Sequence, residues 1–358
     1  MSTGTTEFRT VFSAEELLAS RSYEEPLIAN GVRCHGGFDS DGQYHSPRTL
    51  HRSPAVEAWQ AQLGRDGHEV VAISADLMPP QYPNVEQAKL LLRNGVRDPV
   101  VRALTIISIV EGFGAMIRDV DVPDLRELLV EPVDGTALDH LTKGLFEAHA
   151  RDESGYRDEG GHKQMWEAAR DAALENPKIP GDVLMRLMGR RGRGGRPEPA
   201  FPEIGERLER MLGFMANVLV VEVVAEGTFR WGIELLSDPE VSAAPEVAGG
   251  MVRNIQADEK PHVEYLRTAL SEVRARTIRT VDGKQISGGV VIDGLLHRIL
   301  SQMTSNRQND QRDDVREGLV GAMKSVAHPD ALLEEFESLD SSWTAPEKTG
   351  FEPTSHAA

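Results

Sequence analysis

The sequence predicts an all-α protein, because most of its apolar residues recur at helical spacing in long segments. Leu104 and Ile107, for example, fall on the same face of one such segment. Candidate strands are few and short: an apolar, β-branched run at residues 69–75, which is equally compatible with a buried extended segment or a helix, and a hairpin at residues 277–287 around an Asp-Gly turn.

Two copies of one short motif organise the chain. Asp258-Glu259-Lys260-Pro261-His262 is preceded, 100 residues earlier, by Asp158-Glu159-Gly160-Gly161-His162. Residues three apart lie on the same face of a helix, so each copy directs a carboxylate and an imidazole to one side. A single Glu-x-x-His is weak, since short patterns of common residues recur by chance. Two copies that share the preceding Asp indicate an internal duplication of a metal-binding element.

An apolar run containing a carboxylate precedes each motif. Residues 105–112 contain Glu111, and residues 219–227 contain Glu222 and Glu226. An ionised carboxylate in an apolar helix is costly unless it is paired or bound to metal. Glycine follows both Glu111 and Glu226, so the sequence favours Glu226 as the equivalent of Glu111. Glu222 is then an additional ligand or the buried partner of a basic group such as Arg118.

The order Glu, Glu-x-x-His, Glu, Glu-x-x-His resembles the ferritin-like di-iron carboxylate proteins over residues 98–275. The resemblance implies a ferritin-like four-helix bundle that binds two iron ions and activates O2. Manganese is the alternative metal, because carboxylates with two imidazoles suit both ions better than zinc or copper. The metal ligands that the resemblance implies are Glu111, Glu159, His162, Glu226, Glu259 and His262.

The four bundle helices are predicted over residues 99–118, 134–174 and 202–236, and from the end of a linker at 239–248 to residue 274. Three regions follow. Residues 1–95 form an N-terminal arm and cover, residues 96–275 form the bundle, and residues 276–358 form a hairpin, extra helices and a disordered tail.

The Asp that precedes each motif is the natural support for a histidine ligand. A metal-bound imidazole usually donates its second N–H to a carboxylate. Asp158 and Asp258 are therefore candidate catalytic residues, each supporting the His of the opposite helix, or else they are solvent-facing helix residues.

The predicted second helix has an unusually polar inner face. Counting back from Glu159 in helical steps places Tyr156, Asp152 and His149 there. These side chains form a proton relay or a support for the metals, with Tyr156 as a candidate catalytic residue, or a bend at Gly155 takes them to the surface.

Two polar segments outside the bundle allow more than one interpretation. Residues 31–54 read as a loop that contains Cys34, His35, His45 and His51. They form a zinc site, an active-site cover or a polar arm packed on the bundle. The basic segment at residues 189–197 docks an acidic electron donor, gates the site or serves as a solvated connector.

Composition narrows the class of protein. A net charge of -18 argues against nucleic acid and anionic membranes as partners, because both attract basic surfaces. The single cysteine excludes an internal disulfide and a cysteine-based metal cluster. We expect no membrane-length apolar run and no signal peptide, and hence a cytoplasmic protein.

These observations predict an O2-dependent di-iron oxygenase, N-oxygenase, desaturase or oxidase that acts on a small organic substrate. The alternative is iron handling, as a ferroxidase, a storage protein or a peroxide-detoxifying protein, and a third class is a metal-free descendant. The chain of 358 residues is far longer than a minimal iron-storing bundle needs, which favours the enzyme. No flavin or iron–sulfur domain is visible, so electrons come from an external donor or from the substrate, and a homodimer is compatible with the sequence.

Overall fold

A computed structural model describes residues 9–181, 183, 198–304, 307–324, 326–340 and 348–351. The basic segment at 189–197 and most of the tail that the sequence predicts to be disordered lie outside these residues. The described part of the chain is mostly helical, with five short strands in two sheets, so the all-α class is confirmed at that level.

The N-terminal region contains a three-stranded antiparallel sheet that the sequence analysis assigned to a loop. Glycines inside the second strand lower its strand propensity and hid the pattern. The elements are α1 (Ala14–Leu17), β1 (Glu25–Ala29), β2 (Val32–Phe38), β3 (Tyr44–His45), α2 (Arg52–Arg65) and α3 (Val85–Arg93). The apolar run at 69–75 has neither helix nor strand over residues 69–74, and its last residue, Ala75, begins a short 3-10 turn. It is held against a later helix, where the Val71 N–H donates to Ser271 Oγ at 2.8 Å.

The central helices pack in a continuous series. They are α4 (Asp98–Gly114, extended by a 3-10 turn at Ala115–Asp119), α5 (Leu125–Leu128), α6 (Ala137–His140), α7 (Phe146–Ser154), α8 (His162–Ala173), α9 (Glu206–Leu236) and α10 (Pro245–Arg274). Helix α4 packs on α7 and α8, α8 packs on α10, and α10 packs on α9. Three of the four predicted bundle helices therefore end within a few residues of their predicted limits.

The prediction of one continuous helix for the second bundle element is wrong. A π-helical segment at Leu141–Leu145 precedes α7, and a turn at residues 155–161 separates α7 from α8. Gly155 ends α7 with φ +82, and a Cβ there would lie 2.4 Å from the Glu159 carbonyl oxygen. Only glycine permits this close backbone approach, so the chain does bend at Gly155. The bend exposes Tyr156, but Asp152 and His149 stay buried, so the expectation that all three reach the surface is wrong for those two.

The C-terminal region contains the predicted hairpin and three helices. The elements are β4 (Thr277–Arg279), β5 (Gln285–Ser287), α11 (Gly288–Thr304), α12 (Arg307–Met323) and α13 (Pro329–Ser338). Ile278 pairs with Ile286, so the connection at 280–284 is longer than the two-residue turn that the sequence predicted. Apolar residues of α12 and α13, among them Met323 and Phe336, pack on Leu91 of α3.

A polar layer separates two apolar cores. On α10, one core includes residues up to Ile255 and the other begins at Tyr265. On α9, one core reaches Val220 and the other begins at Phe229. The buried residues between these limits are Glu222 on α9 and Asp258, Glu259, Pro261 and His262 on α10.

Two helices, Asp98–Asp119 and Glu206–Leu236, are long and apolar enough to cross a membrane by length and composition alone. The expectation that no run approaches this length is wrong for them. Each carries a largely buried glutamate, Glu111 or Glu222, that faces other helices of the chain. These contacts are those of core helices in a bundle.

Candidate metal centre

Seven carboxylate and imidazole side chains converge in the polar layer between the two cores. They come from four parts of the chain: α4, α7 with the start of α8, α9 and α10. The members are Glu111, His149, Glu153, His162, Glu222, Glu259 and His262. All are largely buried, with the Glu111 side chain 10% exposed.

The first group of ligand atoms surrounds His162. Its Nδ1 lies 2.7 Å from Glu259 Oε1 and 3.4 Å from Glu153 Oε1. Glu111 Oε2 is 3.8 Å from the same nitrogen. This group joins α4, the α7–α8 pair and α10.

The second group surrounds His262. Its Nδ1 lies 2.7 Å from Glu259 Oε2, 3.2 Å from Glu153 Oε1 and 4.0 Å from Glu222 Oε1. Glu153 and Glu259 therefore take part in both groups, while Glu111 and Glu222 belong to one each. Two shared and two unshared carboxylates are an arrangement that can hold two adjacent cations.

His149 makes the two groups unequal. Its Nε2 lies 3.4 Å from Glu222 Oε1, and its ring stacks on His262 with centroids 3.9 Å apart. Its Nδ1 faces the Tyr265 hydroxyl at 3.1 Å. The His262 group thus has one more imidazole than the His162 group.

The outward nitrogens of both histidines face aspartates on opposite helices. His262 Nε2 lies 2.9 Å from Asp152 Oδ2, and His162 Nε2 lies 3.6 Å from Asp258 Oδ2. Asp152 precedes Glu153 on α7, and Asp258 precedes Glu259 on α10. The crossing is reciprocal, because each Asp-Glu pair gives its Glu to the cluster and its Asp to the other half's histidine.

The N-terminal region supplies the next layer of contacts. Arg48 and Arg52 both donate to Asp152, at 2.6 and 2.8 Å. Tyr44 and His35 both approach Asp258 Oδ2, at 2.8 and 3.0 Å.

Strand β2 also holds the turn between α7 and α8. The His35 N–H donates to the Gly160 carbonyl at 2.9 Å, and the Gly160 N–H donates to the Arg33 carbonyl at 2.8 Å. The turn that separates Glu153 from His162 is therefore fixed by the N-terminal sheet.

Burial and the clustered charges shift the pKa values of these groups in opposite directions. Burial alone would lower the pKa values of His162 and His262, but the neighbouring carboxylates, Glu259 foremost, raise both well above the ordinary value. Burial and the repulsion of nearby carboxylates raise the pKa values of Glu111 and Glu222 well above theirs. Against its own burial, Glu259 has its pKa lowered to about 2, chiefly by His162.

Several of these buried atoms have no hydrogen-bond partner. They include His162 Nδ1, His149 Nε2, both carboxylate oxygens of Glu153, and Glu259 Oε1. His162 Nδ1 and Glu259 Oε1 are close, yet neither makes a hydrogen bond in this geometry. Buried polar atoms are normally satisfied, so atoms that converge without bonding one another fit a shared cation. The donor set fits a metal ion.

The structure brings four of the six sequence-predicted ligands together: Glu111, His162, Glu259 and His262. Glu159 lies outside this cluster. Its side chain is 35% exposed in the turn after α7 and pairs with Arg33 at 3.3 Å. Glu153 occupies the inner position instead, because α7 ends before residue 159.

Glu226 is also placed outside the cluster. Its side chain is 45% exposed and accepts hydrogen bonds from Gln256 Nε2 at 3.0 and 3.1 Å. Glu222, one turn earlier, faces the cluster, and Arg118 lies near Glu147 rather than Glu222. The equivalence of Glu111 and Glu226, inferred from the glycine that follows each, is therefore wrong.

Of the three predicted catalytic residues, one lies next to the cluster and two lie outside it. Asp258 is buried and faces the His of the opposite helix, as expected, although its role in a reaction stays a prediction. Asp158 is exposed in the turn at 155–161, and Tyr156 is 36% exposed with the Arg151 guanidinium 3.6 Å from its ring centre. The end of α7 at Ser154 removes both from the inner face.

Sequence reasoning missed Glu153, Arg48, Arg52 and Tyr44 as members of the site. One available signal was the pair Asp152-Glu153, which repeats the pair Asp258-Glu259. The assumption of a continuous helix favoured Glu159 and hid this match. The N-terminal residues carried no comparable signal, because their proximity to the site depends on the tertiary fold.

The zinc interpretation of residues 31–54 is not supported in the described part of the chain. His45 pairs with Asp39 at 2.7 Å, and the buried Cys34 has its pKa raised to about 11, chiefly by burial. Among the described residues, the only one of the four loop ligands within a potential metal cluster is His35, next to His162 and Asp258. There the short distance between His35 and Asp258 is already explained by a hydrogen bond.

Comparisons of the chain with models of known protein families, with characterised proteins and with solved structures find no match.

Proposed function

We propose that this protein is a ferritin-like, non-haem di-iron oxidoreductase that uses O2 to oxidise a small organic substrate. The observation that carries the proposal is the reciprocal arrangement of the two Asp-Glu pairs around shared carboxylates. Four carboxylates and two or three imidazoles suit iron or manganese, and two bound ferrous ions would supply the electrons that reduce O2.

The chain's own residues have distinct parts in this proposal. Glu153 and Glu259 would bind both ions, Glu111 with His162 one of them, and Glu222 with His262 and His149 the other. Asp152 and Asp258 would hold the histidine rings in orientation through their outward nitrogens. The two apolar cores on either side exclude water, which protects reactive oxygen species from unproductive reduction.

We further propose a cytoplasmic enzyme, with electrons supplied by a separate donor or by the substrate. The burial of the cluster supports an oxygenase or oxidase over iron storage, because storage requires a route for many ions. Iron handling nevertheless uses the same donor set, so the test must count iron as well as oxygen.

Anaerobic reconstitution with ferrous iron followed by O2 tests the proposal. The protein should bind two ions per chain and consume O2 in proportion to protein, and a metabolite mixture should yield a product that requires the metal. The Glu259→Ala variant serves as the control with an incomplete centre. Oxidised iron that accumulates far beyond two ions per chain, without any organic product, would establish iron handling instead.

A further inference from the structure

One side chain of the N-terminal region touches both halves of the support around the metal centre. Arg48 Nε donates to Asp152 Oδ1 at 2.6 Å, and Arg48 Nη2 lies 3.2 Å from His35 Nδ1. Arg48 is only 6% exposed, so these contacts are shielded from water.

The contact between Arg48 and His35 fixes the tautomer of the histidine. A guanidinium can only donate, so His35 Nδ1 must accept and the ring proton must lie on Nε2. His35 Nε2 then donates to Asp258 Oδ2 at 3.0 Å. Burial lowers the pKa of His35, which keeps this ring neutral and consistent with that assignment.

A continuous chain of contacts therefore joins the two predicted histidine ligands through Arg48. It runs from His262 through Asp152 to Arg48, and from Arg48 through His35 and Asp258 to His162. Arg52 and Tyr44 are attached at one end each: Arg52 donates to Asp152, and Tyr44 donates to Asp258.

We propose that Arg48 is a positioning residue that orients both histidine ligands at once and so couples the two metal positions. Arg52 and Tyr44 each support one ligand only. The inference rests on the metal centre of the proposed function, but it does not depend on the substrate or on the reaction with O2.

Three variants separate the coupled residue from its uncoupled neighbours. Tyr44→Phe removes a donor to Asp258, and Arg52→Met removes a donor to Asp152. Arg48→Met removes the residue that contacts both branches. The full chain is loaded with cobalt(II), and the solvent-exchangeable N–H signals of the ligating histidines, displaced by the paramagnetic ion, are recorded by proton NMR.

Tyr44→Phe should displace one of these signals, Arg52→Met a different one, and Arg48→Met both. Arg48→Met should also lower the cobalt(II) affinity of both positions by about 10- to 100-fold, as loss of outer contacts to a metal ligand typically does. Tyr44→Phe and Arg52→Met should each lower the cobalt(II) affinity of a single position. A merely structural role for Arg48 would not reproduce this selective pattern.

Arg48→Lys covers the case in which Arg48→Met does not fold. Lysine keeps the charge beside Asp152, but its single ammonium group cannot replace the planar fork that reaches two partners. The signal that Tyr44→Phe identifies should therefore move although Asp152 keeps a cation.

The idea is overturned if the Arg48 variants displace only the signal that Arg52→Met displaces, since Arg48 would then be a second partner of Asp152 and nothing more. Wild-type protein that binds no pair of cobalt(II) ions would overturn the metal centre itself, before any variant is compared. A wild-type protein that binds the pair but shows no reaction with O2 would refute the proposed function and leave the coupling intact.

Discussion

Glu222 and Glu226 lie one helical turn apart on α9, yet only Glu222 faces the other ligands. The difference is set by the rotation of α9 against α10, where Gln256 binds Glu226 outside the cluster. The two residues therefore form a matched pair for testing the centre.

We expect Glu222→Ala to weaken metal binding by at least about tenfold, since it removes a direct ligand. Glu226→Ala should leave the affinity unchanged, because Glu226 is half-exposed and outside the cluster. Metal titrations of both variants under one set of conditions check this. Equal losses, or a loss confined to Glu226→Ala, would restore the sequence-based choice of ligand.

Protons compete with metal for this site. The pKa values of Glu111 and Glu222 are raised well above their ordinary values by burial and by neighbouring carboxylates, and those of His162 and His262 are raised by the carboxylates despite burial. Metal ligands must be deprotonated, so the affinity should rise with pH and binding should release a measurable number of protons. Calorimetric titration in buffers of different ionisation enthalpy measures this number. Binding without proton release would show that the histidines and carboxylates are already deprotonated in the metal-free protein.

At the scale of single elements, α4 approaches α7 closely at one glycine. A Cβ on Gly114 would lie 2.7 Å from Glu153 Cγ, so a side chain there would displace this shared carboxylate. Gly112 lies two residues earlier, and a Cβ there would lie 3.0 Å from Cδ of the flexible Lys163 side chain.

Gly114→Ala should therefore weaken metal binding, whereas Gly112→Ala should leave it intact. Alanine is favoured over glycine in a helix by about 1 kcal/mol, so Gly112→Ala should not lower stability. Metal titration and urea unfolding of both variants provide the comparison. Unchanged metal binding in Gly114→Ala would mean that Glu153 is free to move or does not bind metal.

Helix α10 also anchors the start of α6 through a buried carboxylate. Glu272 accepts the Ala137 and Leu138 N–H groups at 3.0 and 2.9 Å. Burial outweighs these bonds and raises its pKa from 4.5 to about 7. Between these two values the folded state keeps a proton that the unfolded state has released, so stability should fall as the pH rises through this window.

Glu272→Gln should remove that part of the pH dependence. Between pH 5 and pH 8 the wild type should lose about 2 to 3 kcal/mol more unfolding free energy than the variant. Urea unfolding of both proteins at the two pH values measures the difference, and other titrating groups cancel in the comparison. Parallel losses would mean that Glu272 is already ionised at pH 5.

Elements determined by a periodic pattern could be predicted from the sequence, whereas those determined by tertiary contacts could not. Helices α9 and α10 carry long periodic patterns, and their limits and the inward position of His262 follow from spacing alone. The turn at 155–161 depends on Gly155 and on backbone hydrogen bonds between Gly160 and β2, which are tertiary contacts. A periodic pattern contains no information on such contacts, and so the sequence could not replace Glu159 by Glu153.

At the scale of the whole molecule, the N-terminal region supports the candidate metal centre. The boundary predicted at residue 95 would separate His35, Tyr44, Arg48 and Arg52 from the carboxylates they contact. Their contacts span more than a hundred positions along the chain, from Arg48 to Asp152 and from His35 to Asp258. The sequence allowed for a cover, but not for a cover that donates to the aspartates behind both histidines.

The central claim is that two metal ions lie between Glu153 and Glu259, in one polar layer of the helical core. A crystal structure of the iron(II)-loaded protein, grown without oxygen and measured at the iron absorption edge, tests it most directly. We predict two anomalous peaks per chain, one next to His162 and Glu111 and one next to His262 and Glu222. A single peak, or peaks beside Glu159 or Glu226, would contradict this account.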